Sequence, residues 1–291
     1  MTSDPTRSTD SGKEPGAGDP ERRTRARGRT PQDATLLVRR PAGRGPRLVL
    51  AHGFTQSGMV WGGLDRELAR DHAVVRVDLP GHGGSARVRT SVVDGAALLA
   101  RTAGPGAFLG YSMGARFCLQ AALDHPGLVD RLVLISGTAG IDSSEERRLR
   151  RRDDERLAER LDPSDGSVAV DTVESFLRRW MSNPLFGSIP PERDGFAERC
   201  TNCGPGLASS LRLAGTGTQR PLWDRLGSLD LPVLVLCGER DTRYVEIGRR
   251  MVDAIGARAR LIVVPGTDHA PHLQAPGPVA GLVRAFLDEG T

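Results

Sequence analysis

From residue 34 onward, short apolar runs alternate with stretches in which apolar residues recur at helical spacing. The runs RLVLAHG (47–53), AVVRVDLPGHG (73–83), AFLGYS (107–112) and RLVLISG (131–137) are compact and end in glycine or a small polar residue. That pattern predicts buried strands. Residues 59–70, 91–102 and 113–125 between them read as helices, and the rhythm resumes with a strand in 232–241, a helix near 243–256, a strand in 260–269 and a last helix near 276–288. Alternating strands and helices predict parallel βαβ units, hence an α/β fold with a mostly parallel central sheet flanked by helices.

Two segments break the rhythm. Between about 140 and 220 the pattern holds only helices, expected at 143–161, 169–182, 191–201 and 206–214, the first opened by a capping box of Ser143 and Glu146. A helical insertion between two strand blocks of one sheet predicts a lid over the strands' C-terminal edge. Residues 1–33 carry almost no large apolar side chain. They cannot bury enough surface to offset their ordering entropy, and a disordered tail is expected ahead of one domain spanning 34–291.

Composition narrows the function classes. Charged residues make up 26% and the net charge is only +4, although 39 of the 40 basic residues are arginine and Lys13 is the sole lysine. No basic stripe interleaves with aromatics, so no nucleic-acid partner is expected. No apolar run is long enough to span a bilayer, and the N-terminus lacks an apolar signal core, so a cytoplasmic location is expected. Cys118, Cys200, Cys203 and Cys237 do not form a disulfide framework. Cys200 and Cys203 read as two small residues on one helical face. Nothing in the sequence speaks to oligomeric state.

The chemistry sits at the ends of the expected strands. Gly110-Tyr111-Ser112-Met113-Gly114 follows a strand and opens a helix, the context of a nucleophile elbow, where glycines permit a turn that thrusts the serine outward. A serine hydroxyl needs an imidazole oriented by a carboxylate. Among six histidines, His269 follows the last strand and Asp241 closes CGERD just past another. The order Ser112, Asp241, His269 is that of this type of triad. His52 and His82 lie in turn motifs and are expected to be structural. His272 near His269 lacks a third ligand, so no metal site and no cofactor are expected.

These features resemble the α/β-hydrolase superfamily. The resemblance implies an oxyanion hole made by the backbone N–H groups of Phe54 and Met113. HGFTQSGMVW, DLPGHG, GYSMGAR, GTGTQRPLW, CGERD and DHAPHLQAP together resemble the 2-succinyl-6-hydroxy-2,4-cyclohexadiene-1-carboxylate synthases of menaquinone biosynthesis. That family implies a carbon–oxygen lyase expelling pyruvate from a succinylated hydroxycyclohexene carboxylate, with Ser112 as general base. The alternative is a serine hydrolase (carboxylesterase, thioesterase or carbon–carbon bond hydrolase) using the same triad.

Arg116 bears on that choice. It lies one turn into the helix after Ser112, where the helix dipole disfavours a cation. A compensating anion is expected, either a carboxylate of the inserted helices or a small carboxylate substrate gripped by the guanidinium. The resemblance implies the substrate, and it adds Arg150, Arg199, Trp180 and Tyr111 as further substrate-binding residues. The sequence departs from the family pattern at Gln56, Asp268 and Gln274, and SGTAG (136–140) lacks the usual proline.

Overall fold

A computed structural model describes residues 38–39, 43–187 and 189–289; the tail expected at 1–33 lies outside them. The expected strands are β2 (Arg47–Ala51), β3 (Ala73–Val77), β4 (Gly106–Tyr111), β5 (Val129–Ile135), β6 (Val233–Gly238) and β7 (Ala259–Val264). β1 (Val38–Arg39), which the pattern does not announce, adds an antiparallel edge to β3. The order is β1-β3-β2-β4-β5-β6-β7, and every pairing except β1–β3 is parallel. Helices cover both faces, which is why the inner strands are continuous apolar runs rather than alternating ones. All six residues of β6 are buried.

On one face, α2 (Val92–Ala103), α3 (Met113–Asp124) and α8 (Thr242–Ile255) pack Leu99, Phe117 and Met251 against Val49, Leu134 and Val235. On the other, α1 (Leu64–Leu68) and α9 (Pro276–Leu287) bring Leu64, Leu68, Val283 and Phe286 onto Leu48, Leu109 and Leu234. The chain leaves β2 for β3 on one side and returns to β4 on the other. The crevice at the C-terminal ends of β2 and β4 is therefore a topological switch point, where such sheets bind ligands.

Among the described residues, four α-helices intervene between β5 and β6: α4 (Ser144–Leu161), α5 (Val173–Met181), α6 (Phe196–Arg199) and α7 (Gly204–Ala214). They share a small apolar cluster of Ala158, Leu161, Phe176, Leu207, Ala208 and Leu211, against which Phe54 and Trp180 pack. Three helices are shorter than the periodicity predicts, among them α5, which begins only after its N-cap Thr172. The one expected at 59–70 begins only at Leu64, because Gly62 and Gly63 sit at φ 58° and 98°. The one expected at 191–201 shrinks to α6 behind Gly195 at φ 65°. Cys200 and Cys203 do not share a helical face: Cys200 ends α6 and Cys203 precedes α7. Among the described residues, no helix is long and apolar enough to cross a membrane.

Candidate active site

The turn from β4 into α3 places Ser112 at φ 50°, ψ −106°, a conformation rarely tolerated outside glycine. Its neighbours show what the turn demands. A Cβ on Gly114 would lie 1.9 Å from the carbonyl oxygen of Ala51, and one on Gly110 would lie 2.5 Å from the backbone of Gly114 and Ala115. Only glycine lets α3 start this close to the end of β2. The Ser112 N–H is anchored on Ile135 O at 2.8 Å, which ties the strained residue to β5.

The three side chains separated in sequence converge here. His269 Nε2 lies 3.0 Å from Ser112 Oγ, and its Nδ1 lies 2.6 Å from Asp241 Oδ2. Asp241 accepts only, so Nδ1 carries the proton and donates it, leaving Nε2 to accept from the serine hydroxyl. Asp241 also caps α8, accepting from Tyr244 N–H at 3.4 Å. The His269 N–H donates to Leu185 O, so the inserted segment holds the histidine loop directly.

The loop after β2 faces the same crevice. Among the described residues, neither the Phe54 nor the Met113 N–H has a backbone acceptor, as an oxyanion hole requires. Thr55, at φ 68°, is clamped on three sides. Its N–H donates to His82 Nε2, its carbonyl accepts from Asn202 Nδ2, and its hydroxyl accepts from Arg199 at 2.6 Å. Gln56 Oε1 accepts the Gly53 N–H at 2.8 Å, closing the turn. His52 donates from Nδ1 to Gly53 O and accepts from Leu79 N–H. Burial lowers the pKa of His52 to about 4 and that of His82 to about 3, so both are neutral scaffold residues at neutral pH.

A cavity of about 320 Å³ opens over Ser112 and His269. Phe54 and Trp180 line it with ring centroids 5.1 Å apart, and Arg116, Arg150, Asp154 and Tyr244 supply its polar wall. Arg116 answers the dipole problem differently from the expected anion. Its terminal nitrogens donate to Ala214 O at 2.7 Å and Gln219 Oε1 at 3.0 Å, both uncharged. Ala214 is the last residue of α7, so the cation sits at the negative end of one helix while occupying the positive end of another. Burial lowers its pKa to about 10, still a cation at neutral pH.

The other expected binding residues divide. Arg150 and Trp180 are on the cavity wall. Arg199 is not: it is buried behind the β2 loop, donating to Thr55 and to Asp194 O, with burial lowering its pKa to about 10. Tyr111 is buried beneath His269, its ring 4.2 Å from that of His272 and 5.6 Å from that of His269. Tyr244 and Asp154 are among the wall residues that the sequence reading does not name. Tyr244 packs edge-on against His269 at 4.5 Å, and its position three residues after Asp241, at the start of a capped helix, was the available signal. Asp154 was submerged in a run of charges.

The departures at Asp268 and Gln274 compensate each other: Gln274 Oε1 accepts the Asp268 N–H, and its Nε2 donates to Asp268 Oδ2 at 2.8 Å. This ring braces the residue preceding His269.

Residues 48–282 match the model of the Alpha/beta hydrolase family. A Bacillus subtilis protein with the provisional name 2-succinyl-6-hydroxy-2,4-cyclohexadiene-1-carboxylate synthase is 32% identical, over 82% of this chain and 89% of its own. An Escherichia coli (O1:K1 / APEC) protein carrying that synthase name is 29% identical, over 82% and 93%. The solved structure of MenH from S. aureus superposes with a TM-score of 0.77 at 27% identity, covering 88% of this chain and 98% of that one. The chain belongs to the alpha/beta hydrolase family and, within it, to the group whose named members are 2-succinyl-6-hydroxy-2,4-cyclohexadiene-1-carboxylate synthases.

Proposed function

We propose that this protein is a carbon–oxygen lyase of menaquinone biosynthesis, eliminating pyruvate to give 2-succinyl-6-hydroxy-2,4-cyclohexadiene-1-carboxylate. His269, oriented by Asp241, accepts the Ser112 proton as the serine oxygen removes a proton alpha to the succinyl carbonyl. The resulting enolate oxygen meets the N–H groups of Phe54 and Met113. Electrons returning from the enolate break the bond to the enolpyruvyl oxygen, which leaves as pyruvate once protonated. Ser112 is a base throughout and forms no covalent intermediate. Trp180 and Phe54 cover the ring, and Arg199 acts through Thr55 to hold the oxyanion loop. The substrate is a small polycarboxylate, and the reaction belongs to the cytoplasm.

One observation carries this reading over acyl transfer by the same triad: two arginines share the cavity with Ser112. Arg150, which lines the cavity, gives only its Nε to the protein, to Asp154, so both terminal nitrogens of its fork are without a protein partner among the described residues. That geometry suits bidentate capture of a carboxylate, which fixes the reacting proton within reach of the base. The test is pyruvate release from the enolpyruvyl substrate, run beside a panel of p-nitrophenyl esters. Fast pyruvate release with slow ester turnover is expected. Fast ester turnover without pyruvate would assign the site to a hydrolase instead.

A further inference from the structure

The elimination leaves one proton without a donor. When the carbon–oxygen bond breaks, its electron pair moves to the enolpyruvyl oxygen. Ser112 and His269 serve the carbon end of the reacting system as base, so another group must serve the oxygen end.

Most hydroxyl and carboxyl groups of the cavity wall are already engaged. Thr138 donates to Gly140 O, Ser210 donates to Met113 Sδ, and Ser112 lies against His269 Nε2. Asp153 is exposed and paired with Arg156. Asp154 accepts from Arg150 with one oxygen, and its other oxygen is sealed inside the protein. Two hydroxyls of the wall have no hydrogen-bond partner among the described residues, those of Thr216 and Tyr244. An aliphatic alcohol gives up its proton far less readily than a phenol, which is close to an enol in acidity.

Tyr244 is held beside the base. Asp241, which orients His269, also caps α8 by accepting the Tyr244 N–H. The tyrosine ring stands edge-on to that of His269, with centroids 4.5 Å apart. The side chain is half-buried, and its hydroxyl is not among the polar atoms enclosed without a partner. Burial raises the pKa of the phenol, while the charges of Arg150 and Arg116 oppose the rise. The hydroxyl is therefore protonated at neutral pH, and the same two arginines stabilise the phenolate formed when it gives its proton up.

We propose that Tyr244 is the general acid of the elimination. Its O–H gives a proton to the enolpyruvyl oxygen as the carbon–oxygen bond breaks and the electron pair moves to that oxygen. Enolpyruvate leaves and tautomerises to pyruvate. The phenolate recovers the proton that Ser112 and His269 took from the substrate carbon, so protons balance and no oxidant or reductant enters. This role rests on the lyase reading.

Tyr244→Phe keeps the ring against His269 and removes only the O–H. Elimination is followed by the absorbance of the conjugated diene, from the enolpyruvyl substrate and from a counterpart carrying acetate in its place. Acetate departs without needing a proton. The variant should lose roughly 100-fold or more in kcat on the enolpyruvyl substrate and no more than about threefold on the acetoxy one. A residue that only supported His269 would slow both alike, because both require removal of the same proton. Equal losses, or an undiminished kcat on the enolpyruvyl substrate, overturn the assignment.

A second arm avoids turnover. Oxalate resembles the departing enolpyruvate in placing a charged oxygen beside a carboxylate. In calorimetric titration it should bind wild type roughly 10- to 100-fold more tightly than Tyr244→Phe, the effect of a hydrogen bond to a charged group, with acetate bound alike by both. If wild type releases no pyruvate, the lyase reading fails, and the titration alone decides whether Tyr244 serves an oxygen anion. Equal binding of oxalate by the two proteins then refutes it.

Discussion

Replacing Arg116 by alanine separates the structural use of that side chain from its proposed use in binding substrate. In the free protein, the guanidinium is a strut between α3 and the end of α7, bonded to Ala214 O and Gln219 Oε1. Truncation strands both acceptors in the interior, at about 1–3 kcal/mol each. Against this stands the desolvation of the buried guanidinium, visible in its lowered pKa, which the variant no longer bears. The balance is a loss of about 2–4 kcal/mol, read as a fall in Tm of about 4–15 °C for a domain of this size. On the proposed mechanism, a substrate carboxylate loses a buried charged partner, about 3 kcal/mol or roughly a hundredfold in kcat/KM for pyruvate release. Neutral p-nitrophenyl acetate, which makes no such contact, should lose no more than about threefold. Both assays belong at a temperature where the variant is folded by circular dichroism. Equal losses on the two substrates would show that Arg116 only supports the fold; undiminished pyruvate release would remove it from the site.

Gly114→Ala forces a Cβ to within 1.9 Å of Ala51 O, so the variant should lose both activity and cooperative thermal unfolding; a native-like melt would contradict the packing of α3 on β2. Gln56→Ala removes the acceptor of the Gly53 N–H and loosens the loop carrying Phe54. Its kcat should fall by about tenfold with KM little changed, and a pure KM effect would argue against an oxyanion role. His52, His82 and His272 are buried with pKa lowered to about 4, 3 and 3, chiefly by burial. Below the unfolded value near 6.5, the unfolded chain binds protons that the native state refuses. Stability present above that pH should therefore drain away between pH 6.5 and 4, by up to about 1.4 kcal/mol per pH unit for each histidine. Urea midpoints that stay flat over that window would count against neutral buried imidazoles.

How legible the molecule was depended on how local each cause is. The strands stood out because burial on both faces makes each a compact apolar run. The triad followed because Ser112, Asp241 and His269 all lie just beyond strand ends. Helix limits near residues 59 and 191 failed because left-handed glycines, not periodicity, set where α1 and α6 begin. The place of Arg199 was beyond local reading: it is fixed by Thr55, 144 residues away in sequence. The sequence alone marks Arg116 as electrostatically misplaced, but its remedy, the carbonyl end of α7, depends on how the insertion folds back. Asp154 looked like one acid among many in a charged helix, and only its burial sets it apart.

The central claim is that Ser112 works as a base in an elimination. Its most direct test is intact-protein mass spectrometry on samples quenched during turnover of the enolpyruvyl substrate, with pyruvate quantified in the same samples. Pyruvate accumulating while the protein mass stays that of the free enzyme is the predicted result. A mass increase mapping to Ser112, or turnover without pyruvate, would contradict it.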